Sequence, residues 1–435
     1  MSNALLAGAA RTIISPPKKI YTIGYGDRTK GNEGIHDDLT ATALYLDDGK
    51  TKLAIAALDI LCLNEFIVDR IRAAVGDGIA VIVCCSHTHS GPIGYADKHS
   101  GKLEQRYIDS LVENVSQAVK QAAATAKPAK LGWSKGEAFI AVNRREKQAD
   151  GTMIIGEDPN GIADRSLQVL SVTGEDGARI ATLVNFACHG TVFGPDNLLI
   201  SADWIGVMRS EVEKELGGLG MFLQGATGNL NPKMGWGKDN CWDMAVSQGK
   251  DVAKAVCAAV KARVEPLKAA PLAINRREIW LPFRAKAETP KPPTTYRKRI
   301  LVMAEMPSWL SFITDPLLNY RYPWKPRLQA RDGRWATMLR VNTLRIGEVG
   351  LVTFGSETFT EIGLAIKEAS PAKHTLFVSI TDGCIGYLAT EAAHSEGGYE
   401  VDLAPYAYRY PGPLAPEGET LACAAAADGL KELFK

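Results

Sequence analysis

Histidine is scarce in this chain, paired cysteine is missing, and charge of the two signs nearly cancels. Seven histidines occur in 435 residues, so any that cluster carry information. Eight cysteines lie at 62, 84, 85, 188, 241, 257, 384 and 423. None is in Cys-x-x-Cys spacing, which removes the common zinc and redox motifs. Several sit in apolar runs, where a thiol behaves as a small hydrophobe, and a reducing, cytoplasmic setting is expected. Fifty Lys and Arg against 49 Asp and Glu leave a net charge of +1. With no basic block, no nucleic-acid partner is expected. No apolar run approaches the roughly 20 residues of a membrane helix. The start, Met1-Ser2-Asn3-Ala4-Leu5-Leu6, lacks basic residues and a long apolar stretch, so neither a membrane association nor a signal peptide is expected. What remains, with 46% hydrophobic and 23% charged residues, is ordinary globular composition with ample material for a large core.

Three of the seven histidines sit at the ends of strand-like runs. Ile79-Ala80-Val81-Ile82-Val83-Cys84-Cys85 leads into Ser86-His87-Thr88-His89-Ser90-Gly91-Pro92. Ile180-Ala181-Thr182-Leu183-Val184-Asn185-Phe186-Ala187-Cys188 leads into His189-Gly190. β-branched and uncharged runs of this kind favour strands. A strand that stops at histidine delivers to a sheet edge a side chain suited to metal ligation or to base catalysis.

A pattern recurs three times: hairpin, polar residue, helix, strand, polar residue. The first unit pairs Ala43–Leu46 with Lys52–Leu58 across Asp48-Gly49, reaches Asp59, continues through a helix over 66–75 and ends at His87. The second pairs Leu167–Val172 with the run to His189 across Asp176-Gly177. A helix over 205–216 follows, then Met221-Phe222-Leu223 and Gly225-Ala226-Thr227-Gly228-Asn229-Leu230-Asn231-Pro232. The third pairs Met338–Leu344 with Val349–Phe354, reaches Glu357, continues through a helix over 358–368 and a strand over 375–380, and arrives at Gly386-Tyr387. The units share no evident residue identity, yet each uses strand ends to aim polar groups at one place. Longer amphipathic helices lie between them. Leu103, Tyr107, Ile108, Leu111, Val112, Val115 and Val119 form one apolar face, and Val252, Val256, Val260 and Val264 another; both are expected to face the core. The stretch 268–334 interrupts the rhythm with Trp309, Phe312, Tyr320, Tyr322 and Trp324 and reads as an insertion or lid, or as a surface excursion with its own small core.

His87 and Tyr387 lie 300 positions apart (387 − 87), which argues for a single large α/β domain over residues 1–435, mixed β-sheets flanked by helices. Two histidines need a third ligand for catalytic zinc, and Glu357 is the natural carboxylate. Asp59 reads as a third metal-side carboxylate, as a partner for a histidine N–H or as a strand-end cap. His36 and Asp203 read in similar ways, and Asp203 also as a cap of the helix after Trp204. His99, His374 and His394 have surface-like neighbours and are expected to be exposed.

Ser86-His87-Thr88-His89-Ser90-Gly91-Pro92 resembles the hallmark of the neutral/alkaline non-lysosomal ceramidase family. Other stretches agree in the same order: Gly34-Ile35-His36-Asp37, Leu58-Asp59, Asn143-Arg144, Asn185–Thr191, Ile200-Ser201-Ala202-Asp203, Gly355–Thr360 and Gly386–Thr390. The resemblance covers roughly residues 5 to 430. It implies that family's catalytic-domain fold and one zinc ion held by His87, His189, Glu357 and Tyr387, with His89 and Arg144 facing the substrate. The implied reaction is hydrolysis of an amide by metal-activated water. One departure stands out. The family's active-site serine is replaced by Asn231, whose amide can bind a polar group but cannot be acylated. Neither a secretion signal nor the family's C-terminal immunoglobulin-like domain is evident. A smaller, more polar substrate than ceramide is therefore expected: an amide, ester, lactone or sugar derivative. Two alternatives stay open. One is a metal-dependent hydrolase of lactones, esters or cyclic sugars, or an isomerase; the other is a non-catalytic protein with a structural metal. A homo-oligomer is also left open.

Overall fold

A computed structural model describes residues 5–25, 28, 30–92, 94, 102–233, 240–287, 327–408 and 410–435. Its mixed sheets with flanking helices contain the three expected units, and all three share one topology. In the first, Thr40–Asp47 pairs antiparallel with Lys52–Leu58, the helix Glu65–Val75 crosses over, and Ala80–Cys85 closes parallel to the second strand. The second unit runs Ser166–Gly174, Arg179–Phe186, helix Asp203–Leu216 and closing strand Leu219–Gln224. The third runs Arg334–Ile346, Val349–Phe354, helix Thr360–Glu368 and closing strand His374–Val378. A parallel closing strand requires a crossover, and the helix supplies it.

Local chemistry sets these turns. At the first hairpin Asp48 Oδ1 accepts from the backbone N–H groups of Lys50 and Thr51, while Gly49 takes φ +85°. At the second, Asp176 Oδ1 accepts from Ala178 N–H, and Gly177 takes φ +79°. The first crossover helix starts where Asn64 Oδ1 accepts from Ile67 N–H, and it stops at Gly76, φ +94°. Side-chain capping at the start and glycine at the end are what helix termini demand.

The first two units lie in one nine-stranded sheet, with the two closing strands at opposite ends of its strand order. The third unit forms a five-stranded sheet with Leu272–Lys286 and Leu328–Arg331, which both pair with Arg334–Ile346. Residues 288–326, which include the aromatic group from Trp309 to Trp324, lie outside the described residues. All nine unit strands contribute to one buried core. Leu44, Ile55 and Ile82 of the first unit meet Leu170, Leu183 and Leu223 of the second and Leu344, Leu351 and Leu376 of the third. Each such side chain contributes about 1.5–3 kcal/mol on burial. Helices cover the outer faces: Ile67 and Leu111 over the first unit, Met208 and Val256 over the second, Ile366 and Leu430 over the third.

The strand ends are tied to one another. Gln224, at the end of the second unit's closing strand, donates from Nε2 to the carbonyls of Ser86 and Cys188, each at 2.9 Å. Its own carbonyl accepts from Ser379 N–H at 2.8 Å. Three units thus bring the carboxyl ends of their strands together at one buried residue, Gln224, whose side-chain amide joins the first two units and whose backbone carbonyl joins the third.

Some expectations fail in detail. Leu103 and Val264 are exposed rather than core-facing; Val264 follows the end of its helix at Ala262. His374 and His394 are half-buried. The His374 ring stacks on Trp133 with centroids 4.5 Å apart, covered by the neighbouring sheet. His99 lies outside the described residues.

Candidate metal centre

His87 ends its strand with an abrupt turn. Its φ is +64°, a left-handed conformation seldom held by a non-glycine residue and frequent at functional sites. Its N–H is bonded to the Ile60 carbonyl at 3.0 Å, and the segment then runs beside the second histidine segment: Thr88 bridges Gly190, and His89 N–H donates to the Gly190 carbonyl at 2.9 Å. A Cβ on Gly190 would lie 3.1 Å from Thr88 Cα, so the glycine permits this approach. Trp204 Nε1 donates to the His189 carbonyl at 2.8 Å and holds the second segment from behind.

Both imidazoles are oriented the same way. His87 Nδ1 lies 2.7 Å from the Leu61 carbonyl, and His189 Nδ1 lies 2.8 Å from the Leu230 carbonyl. A carbonyl only accepts, so each Nδ1 carries the hydrogen and each Nε2 turns a lone pair inward. The Thr227 hydroxyl also meets His189 Nδ1, at 2.6 Å. The ring centroids of His87 and His189 are 4.8 Å apart. Into the same space Glu357 projects Oε2, 3.2 Å from His87 Nε2 and 3.5 Å from His189 Nε2. His189 Nε2 is buried with no hydrogen-bond partner. Acceptors converging in a buried site are what a divalent cation neutralises, and the donor set suits zinc.

The three histidines 87, 89 and 189 have ligand atoms within 4.8 Å of one another. His89 comes nearer than the substrate-facing place expected of it, with Nε2 3.4 Å from His87 Nε2. It fits because Gly24, φ +116°, has no side chain: a Cβ there would lie 2.6 Å from His89 Nδ1. Burial, reinforced by the neighbouring imidazoles, keeps His89 well below the ordinary histidine range and so neutral. Burial also takes His189 down to about 4.

Tyr387 stands beside Glu357 through a short parallel pairing, Glu357 with Tyr387 and Thr358 with Leu388. Its hydroxyl accepts from Arg144 Nη2 at 3.0 Å. Arg144 Nη1 reaches Asn231 Oδ1 at 3.3 Å, and Arg144 Nε donates to Glu400 at 2.8 Å. All seven candidate site residues therefore lie in one connected cluster. Three others were not expected there. Glu400 bridges Arg144 and Arg145, Tyr408 donates to Glu357 Oε1, and Thr227 meets His189. The only signal for the first two was the density of Tyr399-Glu400, Tyr406, Tyr408 and Tyr410 after Tyr387.

Among the described residues, the partners of Asp59 include no histidine. It accepts from Thr40 N–H and Oγ1, each at 2.9 Å, and pairs with Arg209 at 2.8 Å, because Arg209 rather than an imidazole packs behind the strand end. Asp203 lies inside the first helical turn, after Ala202, and accepts from Trp204 and Val192 N–H. Burial pushes its carboxyl up to about 7. His36 is exposed and stacks on Trp242 with centroids 3.6 Å apart.

Comparison with known proteins agrees with this architecture. Residues 6–261 match the family model of the neutral/alkaline non-lysosomal ceramidase N-terminal region. A neutral ceramidase of Mycobacterium tuberculosis is 25% identical over 245 residues, 49% of this chain and 38% of that protein. One from Pseudomonas aeruginosa is 26% identical over 236 residues, 50% of this chain and 35% of that protein. The matches thus span little more than a third of these curated relatives. The crystal structure of the Pseudomonas aeruginosa neutral ceramidase superposes with a TM-score of 0.75 at 18% identity, over 100% of this chain and 75% of that one. From the family match, with the fold in agreement, the chain belongs to the neutral/alkaline non-lysosomal ceramidase family.

Proposed function

We propose that this chain is a zinc-dependent hydrolase of an amide or related acyl bond in a small-molecule substrate, with His87, His189, Glu357 and Tyr387 holding the ion. The reading rests on one observation: the Nε2 lone pairs of His87 and His189 and Oε2 of Glu357 face one another in a buried site. A divalent cation bound there supplies Lewis acidity to a carbonyl oxygen and makes water acidic enough to attack near neutral pH.

The chain's own residues position the rest. Glu400 grips the Nε edge of Arg144 and leaves Nη1 and Nη2 turned toward Asn231 and Tyr387. A carbonyl oxygen gathering negative charge there would meet a guanidinium already fixed in place. His89, whose ring stands beside those of His87 and His189, would take the proton of the attacking water and return it to the leaving nitrogen. Asn231 has no nucleophilic oxygen, so an acyl-enzyme at that position is excluded. The relatives' name points to ceramide, and Asn231 favours a more polar amide.

Metal analysis with hydrolysis of a short-chain ceramide, small N-acyl amides, esters and lactones tests the reading. It predicts one zinc per chain and amide cleavage that chelation abolishes and zinc restores. No retained metal, or cleavage of lactones with every amide untouched, overturns it.

A further inference from the structure

The geometry points to Tyr408 as a positioning residue that limits Glu357 to one oxygen toward the metal. The inference rests on the metal reading above. Tyr408 Oη donates to Glu357 Oε1. The other carboxylate oxygen, Oε2, is the one that faces the two imidazoles. With Oε1 engaged by a phenol hydrogen, Glu357 turns Oε2 toward the imidazoles, and the hydrogen bond opposes rotation of the carboxylate plane. Carboxylates bind metals through one oxygen or two, and the partner of the second oxygen decides between them.

The reach of Tyr408 is built into the backbone. Its ring lies against Gly386, immediately before Tyr387; a Cβ on Gly386 would sit 2.7 Å from two ring carbons, and φ there is +81°. Gly386 thus admits the ring, and its carbonyl holds Glu357 N–H at 2.8 Å. Tyr408 also closes a short structural run. Its N–H donates to the Ala404 carbonyl, at the end of the helix Ala404–Ala407. That helix follows the π-helical turn Tyr399–Leu403, which carries Glu400 and so positions Arg144. One stretch, residues 399–408, therefore orients both a metal-facing carboxylate and the substrate-facing guanidinium from outside the three units.

Zinc affinity, measured by competition with a chromophoric chelator, tests this on the purified chain, its Tyr408→Phe variant and Gly386→Ala. Tyr408→Phe is expected to bind zinc about 10–100-fold more weakly, the usual effect of removing a partner that orients a ligand, with an unchanged circular-dichroism spectrum. Gly386→Ala, which pushes the ring off Glu357 while keeping the phenol, is expected to weaken binding in the same direction. A Tyr408→Phe chain that folds and holds zinc within about twofold of the parent overturns the inference and leaves the metal reading standing. A parent chain that holds no zinc overturns the metal reading and this inference with it.

Discussion

Asp59 and Glu357 are both buried carboxylates placed just beyond the second strand of their units. Asp59 is met by a backbone N–H, a hydroxyl and a guanidinium, so protein donors satisfy it. Glu357 is met on one oxygen by a phenol, while the other faces two imidazole nitrogens that point lone pairs at it. The same topological position thus yields a structural ion pair in one unit and a ligand in another. The difference lies in what packs opposite: Arg209, itself buried, or a pair of histidines whose hydrogens are committed to backbone carbonyls. A buried acid surrounded by donors is satisfied within the protein and costly to strip of its partner; one that faces acceptors asks for a cation.

The largest effect is expected of His189→Ala. It should abolish bound metal and activity while the circular-dichroism spectrum is retained; stoichiometric metal in the variant would refute the assignment. Asp59→Ala should do the reverse. It leaves Arg209 buried without its partner, at a cost of about 3–5 kcal/mol in denaturant unfolding, with zinc affinity unchanged. Loss of metal on that substitution would erase the distinction between the two carboxylates.

A third test uses pH on the metal-free chain. His189 falls from 6.5 to about 4 in the folded state, so the unfolded chain binds its proton more tightly. That contribution to stability is complete above about pH 6.5 and is lost as pH drops through about 4, on the order of 3 kcal/mol. A melting temperature flat between pH 7 and pH 4 would contradict the burial argument. The smallest effect is expected of Arg144→Lys. Charge survives but the fork that meets Glu400, Asn231 and Tyr387 does not, so activity should fall about 10–100-fold, or about 1.5–3 kcal/mol, with metal content intact. An equal drop in zinc binding would show that Arg144 supports the ligands instead.

Much of the architecture is legible in the residues. Aspartate-glycine turns, period-two apolar strands and a capped helix are local features, and they define the three units almost to the residue. The same locality explains His87, His189 and Glu357, since each follows an apolar strand directly. Asp59 follows one too, and nothing in Leu58-Asp59 distinguishes it from them. Tyr408, Glu400 and Gln224 stayed hidden for a related reason: each acts across more than 50 positions of chain, on Glu357, Arg144 and Ser86 respectively. No periodicity reports such a pairing.

From its order of residues alone, this chain determined which segments become strands, where they stop, and which polar side chains stand at those stops, because such choices depend on neighbours a few positions away. Only the tertiary structure decided that Nε2 of two histidines and one oxygen of Glu357 share a point while Asp59 turns to Arg209. That choice depends on which segments close-packing brings opposite one another, and the shared core of three units sets it.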